Sequence, residues 1–80
     1  SEFFVSLSSI EDVRQFVNAA TCCPCEVDVL SADYVIDAKS IMGLFSLDLS
    51  TRLKVEVHGS DADRSAFEQS VAAFEVKQTQ

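Results

Sequence analysis

Apolar and polar positions along this 80-residue chain change period several times. Phe3 and Val5 alternate with Phe4 and Ser6, the two-residue period of a strand. Ile10, Val13, Phe16, Val17 and Ala20 then recur at three- and four-residue spacing, one apolar stripe on a first helix. Ser8, with Glu11 three positions on, reads as a capping box, and Pro24 blocks continuation beyond the helix. Val27 and Val29 alternate with Glu26 and Asp28 as a half-buried second strand. The turn Ser31-Ala32-Asp33 leads to a third, Tyr34 to Asp37, predicted to hairpin with the second. Ser40 has the position of an N-cap for a short helix reaching about Phe45. Leu53, Val55 and Val57 alternate with Lys54, Glu56 and His58, the clearest strand of the chain. Ser60 or Asp61 opens a last helix with the stripe Phe67, Val71 and Phe74.

The order β-α-β-β-α-β-α predicts an α+β fold in one domain, residues 1–80. A single four-stranded antiparallel sheet with three helices on one face would bury every stripe. The expected core is Phe3 or Phe4 with Val13, Phe16, Val17, Val27, Val29, Leu47, Val55, Val57, Phe67, Val71 and Phe74. Neither an internal repeat nor a low-complexity linker divides the chain. A hydrophobic fraction of 48% is enough for a core, and two glycines and one proline argue against disorder.

Charge narrows the partners. Thirteen acids against six bases give a formal charge of −7. Such a chain repels phosphate backbones and anionic lipid, so the expected partners are proteins, not nucleic acid or membrane. No apolar run approaches the roughly 20 residues of a membrane span. Nothing directs export, so a cytoplasmic location is expected.

Three side-chain groups carry candidate chemistry. A phosphate on Ser40 would add charge where unpaired backbone N–H groups and the helix dipole favour it. Ile41, Met42 and Phe45, three to four apart, would share a partly exposed face, with Leu44 and Leu47 turned to the core. Cys22, Cys23 and Cys25 fall within four positions and contain a C-x-P-C spacing, which raises a thiol redox or metal-binding module as the alternative. Against it, redox pairs work at helix N-termini, and these cysteines follow a helix C-terminus. Tetrahedral zinc wants four ligands, and adjacent Cys22 and Cys23 do not easily serve one ion. Free thiols and no metal are therefore expected, with no cofactor. His58, the lone histidine, reads as an exposed strand residue.

The stretch Ala38-Lys39-Ser40-Ile41-Met42-Gly43-Leu44-Phe45-Ser46-Leu47 resembles the regulatory-serine segment of the HPr family, the small phosphocarriers of the bacterial sugar phosphotransferase system. The resemblance covers nearly the whole chain and implies that family's open-faced sandwich. Active carriers hold a Gly-x-His-x-Arg-Pro type segment before the first helix, whose histidine carries the phosphate. Gapless alignment on Ser40 puts Ser9 at the histidine, Glu11 at the arginine and Asp12 at the proline. The connection around Ser50-Thr51-Arg52 is about two residues shorter than in typical members and lacks their glycine. Ala38 to Leu49 is especially similar to Crh, a Bacillus-type paralogue without the phospho-accepting histidine. The resemblance implies a non-catalytic regulatory protein, not an enzyme, concerned with catabolite repression. In that role Ser40 would be phosphorylated by an HPr kinase, Ile41, Met42 and Phe45 would dock partners, and a LacI-type transcription regulator would be one of them. Crh keeps the arginine that is Glu11 here. A monomer or weak homodimer is expected, since Crh-like relatives exchange a strand between protomers.

Overall fold

The computed structural model describes residues 2–76. In chain order it contains β1 (Glu2–Val5), α1 (Ile10–Cys22), β2 (Glu26–Leu30), β3 (Val35–Asp37), α2 (Ile41–Phe45), β4 (Leu53–His58), α3 (Asp61–Ser70), a 3-10 turn (Ala72–Phe74) and β5 (Glu75–Val76). The strands form one sheet in the order β3-β2-β4-β1-β5, with antiparallel pairing throughout.

The sheet has five strands where four are expected. After α3 ends at Ser70, Ala72–Phe74 winds as a 3-10 turn and carries the chain back to the free edge of β1. There Val76 pairs with Phe4 and Glu75 with Val5, and Ser6 N–H donates to the Phe74 carbonyl at 2.8 Å. Phe74 thus reaches the core from this turn, partly buried, and not as the last residue of a helical stripe. A two-residue strand is too short to give an alternating pattern.

Register explains the two faces of the sheet. Ile36, Val29, Val55 and Phe3 are directly opposite one another across β3, β2, β4 and β1, an apolar row under the helices. The adjacent row on the other face is Asp37, Asp28, Glu56 and Glu2, four carboxylates across the same strands. Like charges directly opposite are unfavourable, and a histidine and a lysine border the row. His58 Nε2 lies 2.9 Å from Asp28 Oδ2 and 3.8 Å from Glu56 Oε1, and Lys54 Nζ lies 3.4 Å from Glu2 Oε1. Beside them the Arg52 guanidinium stands 5.0 Å over the Phe4 ring.

The core joins that apolar row to Val13, Phe16, Val17 and Ala20 of α1, Leu44 of α2 and Phe67 of α3, all buried. Phe67 is its hub: its ring meets Phe16 edge-on at 5.6 Å and tilts against Phe3 at 6.2 Å. Of the two candidate aromatics on β1, Phe3 faces inward and Phe4 is only partly buried. Leu7, Ala38 and Leu53 join the core from loops and a strand start. Ile10 does not join it: as the first residue of α1 it lies before the packed part of the stripe and is exposed.

Candidate functional site

Each of the three helices begins on a serine whose hydroxyl oxygen accepts a backbone N–H three residues on. At α1 the cap is Ser9, accepting from Asp12 N at 3.1 Å. The Asp12 carboxylate in turn accepts from both Ser8 N and Ser8 Oγ at 3.0 Å. The expected Ser8–Glu11 box does not form: Ser9 is the cap, and the Asp12 carboxylate reaches past it to Ser8. Two consecutive serines are each followed three positions on by an acid, and Asp12 takes the capping role. Glu11 turns along its own helix instead, to Arg14 at 3.5 Å and Gln15 Nε2 at 3.2 Å. The Ser8 N–H, foremost among its bonds, holds the Asp12 carboxyl below the usual aspartate value. At α3, Ser60 and Asp63 form a complete capping box.

Ser40, at α2, accepts from Gly43 N at 3.1 Å. Its backbone is extended (φ −100°, ψ 101°), as N-cap geometry requires. A Cβ on Gly43 would stand 2.7 Å from Ile36 Cγ2 and 3.0 Å from Ser40 Oγ. Only glycine lets α2 lie this close to β3 and keep the capping bond. Lys39, immediately before the cap, donates from Nζ to the Cys23 carbonyl at 3.3 Å, and its backbone N–H donates to Asp37 Oδ1 at 2.9 Å. This side-chain tether pins the start of α2 to the C-terminal end of α1. Glu11 is near the opposite end of α1, about 18 Å away along the axis at 1.5 Å per residue.

The apolar trio divides. Met42 is 77% exposed and Phe45 40%, whereas Ile41 is half-buried and packs against the core. Leu44 and Leu47 are buried, so one side of α2 anchors it and the other presents Met42 and Phe45 to solvent. His58 is exposed at the end of β4, beside Asp28 and Glu56 and opposite Glu26, a setting that repels a phosphoryl group.

The cysteines also divide. Cys22 is exposed, Cys23 is buried at the C-cap of α1 and Cys25 is partly buried. The sulfurs brought together are those of Cys23 and Cys25, 3.2 Å apart, and not the C-x-P-C pair. Among the described residues no three His, Cys, Asp or Glu side chains converge as metal ligands, and no helix is long and apolar enough to cross a membrane.

Sequence reasoning passed over two contacts. The Lys39 tether joins residues 16 apart, which no local pattern reveals. The closeness of Cys23 to Cys25 depends on where α1 stops.

The family described as the PTS HPr component phosphorylation site matches residues 12–75. Two solved structures share the fold. HPr-C-His from Thermoanaerobacter tengcongensis superposes with a TM-score of 0.73 at 22% identity, over 91% of this chain and 92% of its own. The phosphocarrier protein HPr from Bacillus anthracis str. Ames does so with a TM-score of 0.70 at 24% identity, over 92% and 95%. No curated protein sequence matches. The family match runs from within α1 to β5, the fold is shared with solved HPr proteins, and this chain belongs to the HPr family.

Proposed function

We propose that this HPr-family chain is a non-catalytic, Crh-like regulatory protein of the phosphotransferase system, with Ser40 as its phospho-acceptor and Ile41, Met42 and Phe45 as its docking surface. One observation carries the reading. Of the three serine caps, only Ser40 heads a helix with no acid in its first turn. Glu11 and Asp12 follow Ser9, and Asp61 and Asp63 follow Ser60. A phosphate at Ser9 or Ser60 would replace a neutral cap beside two carboxylates. At Ser40 it would meet the N–H groups of α2 and the Lys39 ammonium, with Asp37 the opposing charge.

Two further features support loss of phosphocarrier chemistry. Ser9, at the position of the family's histidine, is occupied as a cap. A serine ester also has too low a transfer potential to replace phosphohistidine. His58, the remaining imidazole, is set among carboxylates. Phosphate on Ser40 would sit beside Met42 and Phe45, weakening partners that need apolar contact and favouring those that offer arginines. An HPr kinase and a LacI-type transcription regulator are the partners this predicts. With Glu11 in place of an arginine, the regulator would have to bind through α2.

Phosphoenolpyruvate-dependent labelling by the system's first enzyme should leave no acid-labile phosphate; label on His58 would overturn the non-carrier reading. Pull-downs with wild type, Ser40→Ala and Met42→Asp test the surface. Met42→Asp should lose its partners in both phosphorylation states and Ser40→Ala only those that require phosphate. Identical capture by all three would place both switch and surface elsewhere.

A further inference from the structure

We propose that Cys23 and Cys25 form a reversible disulfide site, closed by exchange with a low-molecular-weight disulfide. The two Sγ atoms are 3.2 Å apart. A disulfide needs about 2.05 Å, so closure asks for a movement of about 1 Å.

The fold holds both sulfurs in place. Cys23 caps α1 through a bond from its N–H to the Ala20 carbonyl at 3.0 Å, and its own carbonyl takes the Lys39 ammonium. Its backbone is extended (φ −77°, ψ 133°), the conformation preferred before proline. Pro24 then fixes the next φ near −65°, and β2 begins directly after Cys25. From above, Gly59 presses on Cys25, where a Cβ would fall 2.7 Å from the sulfur. The two thiols therefore meet without a flexible residue between them.

One approach to the pair is a cavity. A cavity of about 330 Å³ lies between the end of α1 and α3, lined by Cys22, Cys23 and Pro24 against Ala66, Phe67 and Ser70. Cys25 is not part of that lining, so the cavity reaches the pair through Cys23. The Cys23 thiol loses its proton to solvent. The thiolate attacks one sulfur of the incoming disulfide RSSR and expels one RS⁻. Cys25, after losing its own proton, attacks the Cys23 sulfur and expels the second RS⁻. Both protein thiols are oxidised, and the reagent is reduced to two RSH.

The same setting makes the reaction slow at neutral pH. The hydrogen bond with Cys23, then burial, push the Cys25 thiol up to about 11. The pair is therefore a sink under sustained oxidising conditions and not a rapid sensor.

The test is a titration of the whole chain with mixtures of oxidised and reduced glutathione at pH 8, followed by acid quenching, alkylation and mass mapping. Free thiols should fall from three to one, with Cys22 the survivor. The Cys22→Ser variant should close like wild type, Cys23→Ser and Cys25→Ser should form no internal bond, and dithiothreitol should restore all thiols. The folded chain should close at an oxidised-to-reduced ratio at least about tenfold lower than the same chain in 8 M urea, because the fold supplies the effective concentration. Three alkylatable thiols throughout, a Cys22–Cys25 bond, or equal closure in urea would each overturn the proposal.

Discussion

The N-termini of α1 and α2 are built from the same part, a serine hydroxyl accepting a backbone N–H, and differ in everything around it. At α1 the next charges are Glu11 and Asp12, and the Asp12 carboxylate already holds the two donors of Ser8. At α2 the first turn carries no acid, a lysine precedes the cap, and a glycine brings the helix close to β3. A family member that transfers phosphate needs a cationic, donor-rich α1 terminus. In this chain that end carries Glu11 and Asp12, whereas the first turn of α2 carries no acid. Identical caps can thus differ in what they accept, because the dipole sets only a preference and the neighbouring side chains set the net field.

The widest separation between the two ends should appear with an HPr kinase and ATP. Phosphosite mapping should find all incorporated phosphate on Ser40. Ser40→Ala should abolish incorporation, while Ser9→Ala and Ser60→Ala leave it at the wild-type level. Phosphate on Ser9 in the wild type would erase the contrast.

A smaller effect tests the packing behind it. Gly43→Ala should destabilise the fold by about 1–3 kcal/mol through overpacking against Ile36, partly offset by the up to ~1 kcal/mol that alanine gains over glycine in a helix. Urea unfolding would measure the net loss, and an equal or more stable variant would mean that α2 can lift off β3. Cap truncation should cost less. Ser9→Ala and Ser60→Ala are each expected to lose about 1 kcal/mol, with Ser40→Ala below both because α2 has only five residues to lose.

The finest distinction is a titration. Asp12 is held below its ordinary value in the folded state, chiefly by the Ser8 N–H. Its contribution to stability is therefore complete above the ordinary aspartate range and is lost as pH falls through the depressed folded-state value. Carboxyl NMR should show Asp12 titrating below Asp12 in the unfolded chain, and Asp12→Asn should flatten the acid limb of the stability curve.

Much of this was legible in the sequence because the periods are local. Val27 and Val29, and Leu53, Val55 and Val57, declare their strands by alternation, and Ser40 declares its cap by position. The limits have physical causes. Ser8 and Ser9 each precede an acid by three residues, so the capping partner is decided by which carboxylate the chain can fold back. The edge strand Glu75–Val76 exists only because β1 has a free edge beside it, a tertiary fact. The apolar face of α2 could be predicted from spacing, but the deeper seat of Ile41 comes from α2 lying close over β3. The closest cysteine pair was missed because C-x-P-C suggests Cys22 with Cys25, whereas the end of α1 turns Cys23 toward Cys25.

The four carboxylates that cross the sheet from Asp37 to Glu2 set how this protein responds to its medium. Folding fixes them side by side, with Lys54 beside Glu2 and His58 beside Asp28. Unfolding spreads them apart. Dissolved salt, with a screening length near 10 Å at 0.1 M, therefore relieves a repulsion that the folded state bears more heavily than the unfolded one. Moderate ionic strength should strengthen this fold, and desalted solution should be where it is weakest.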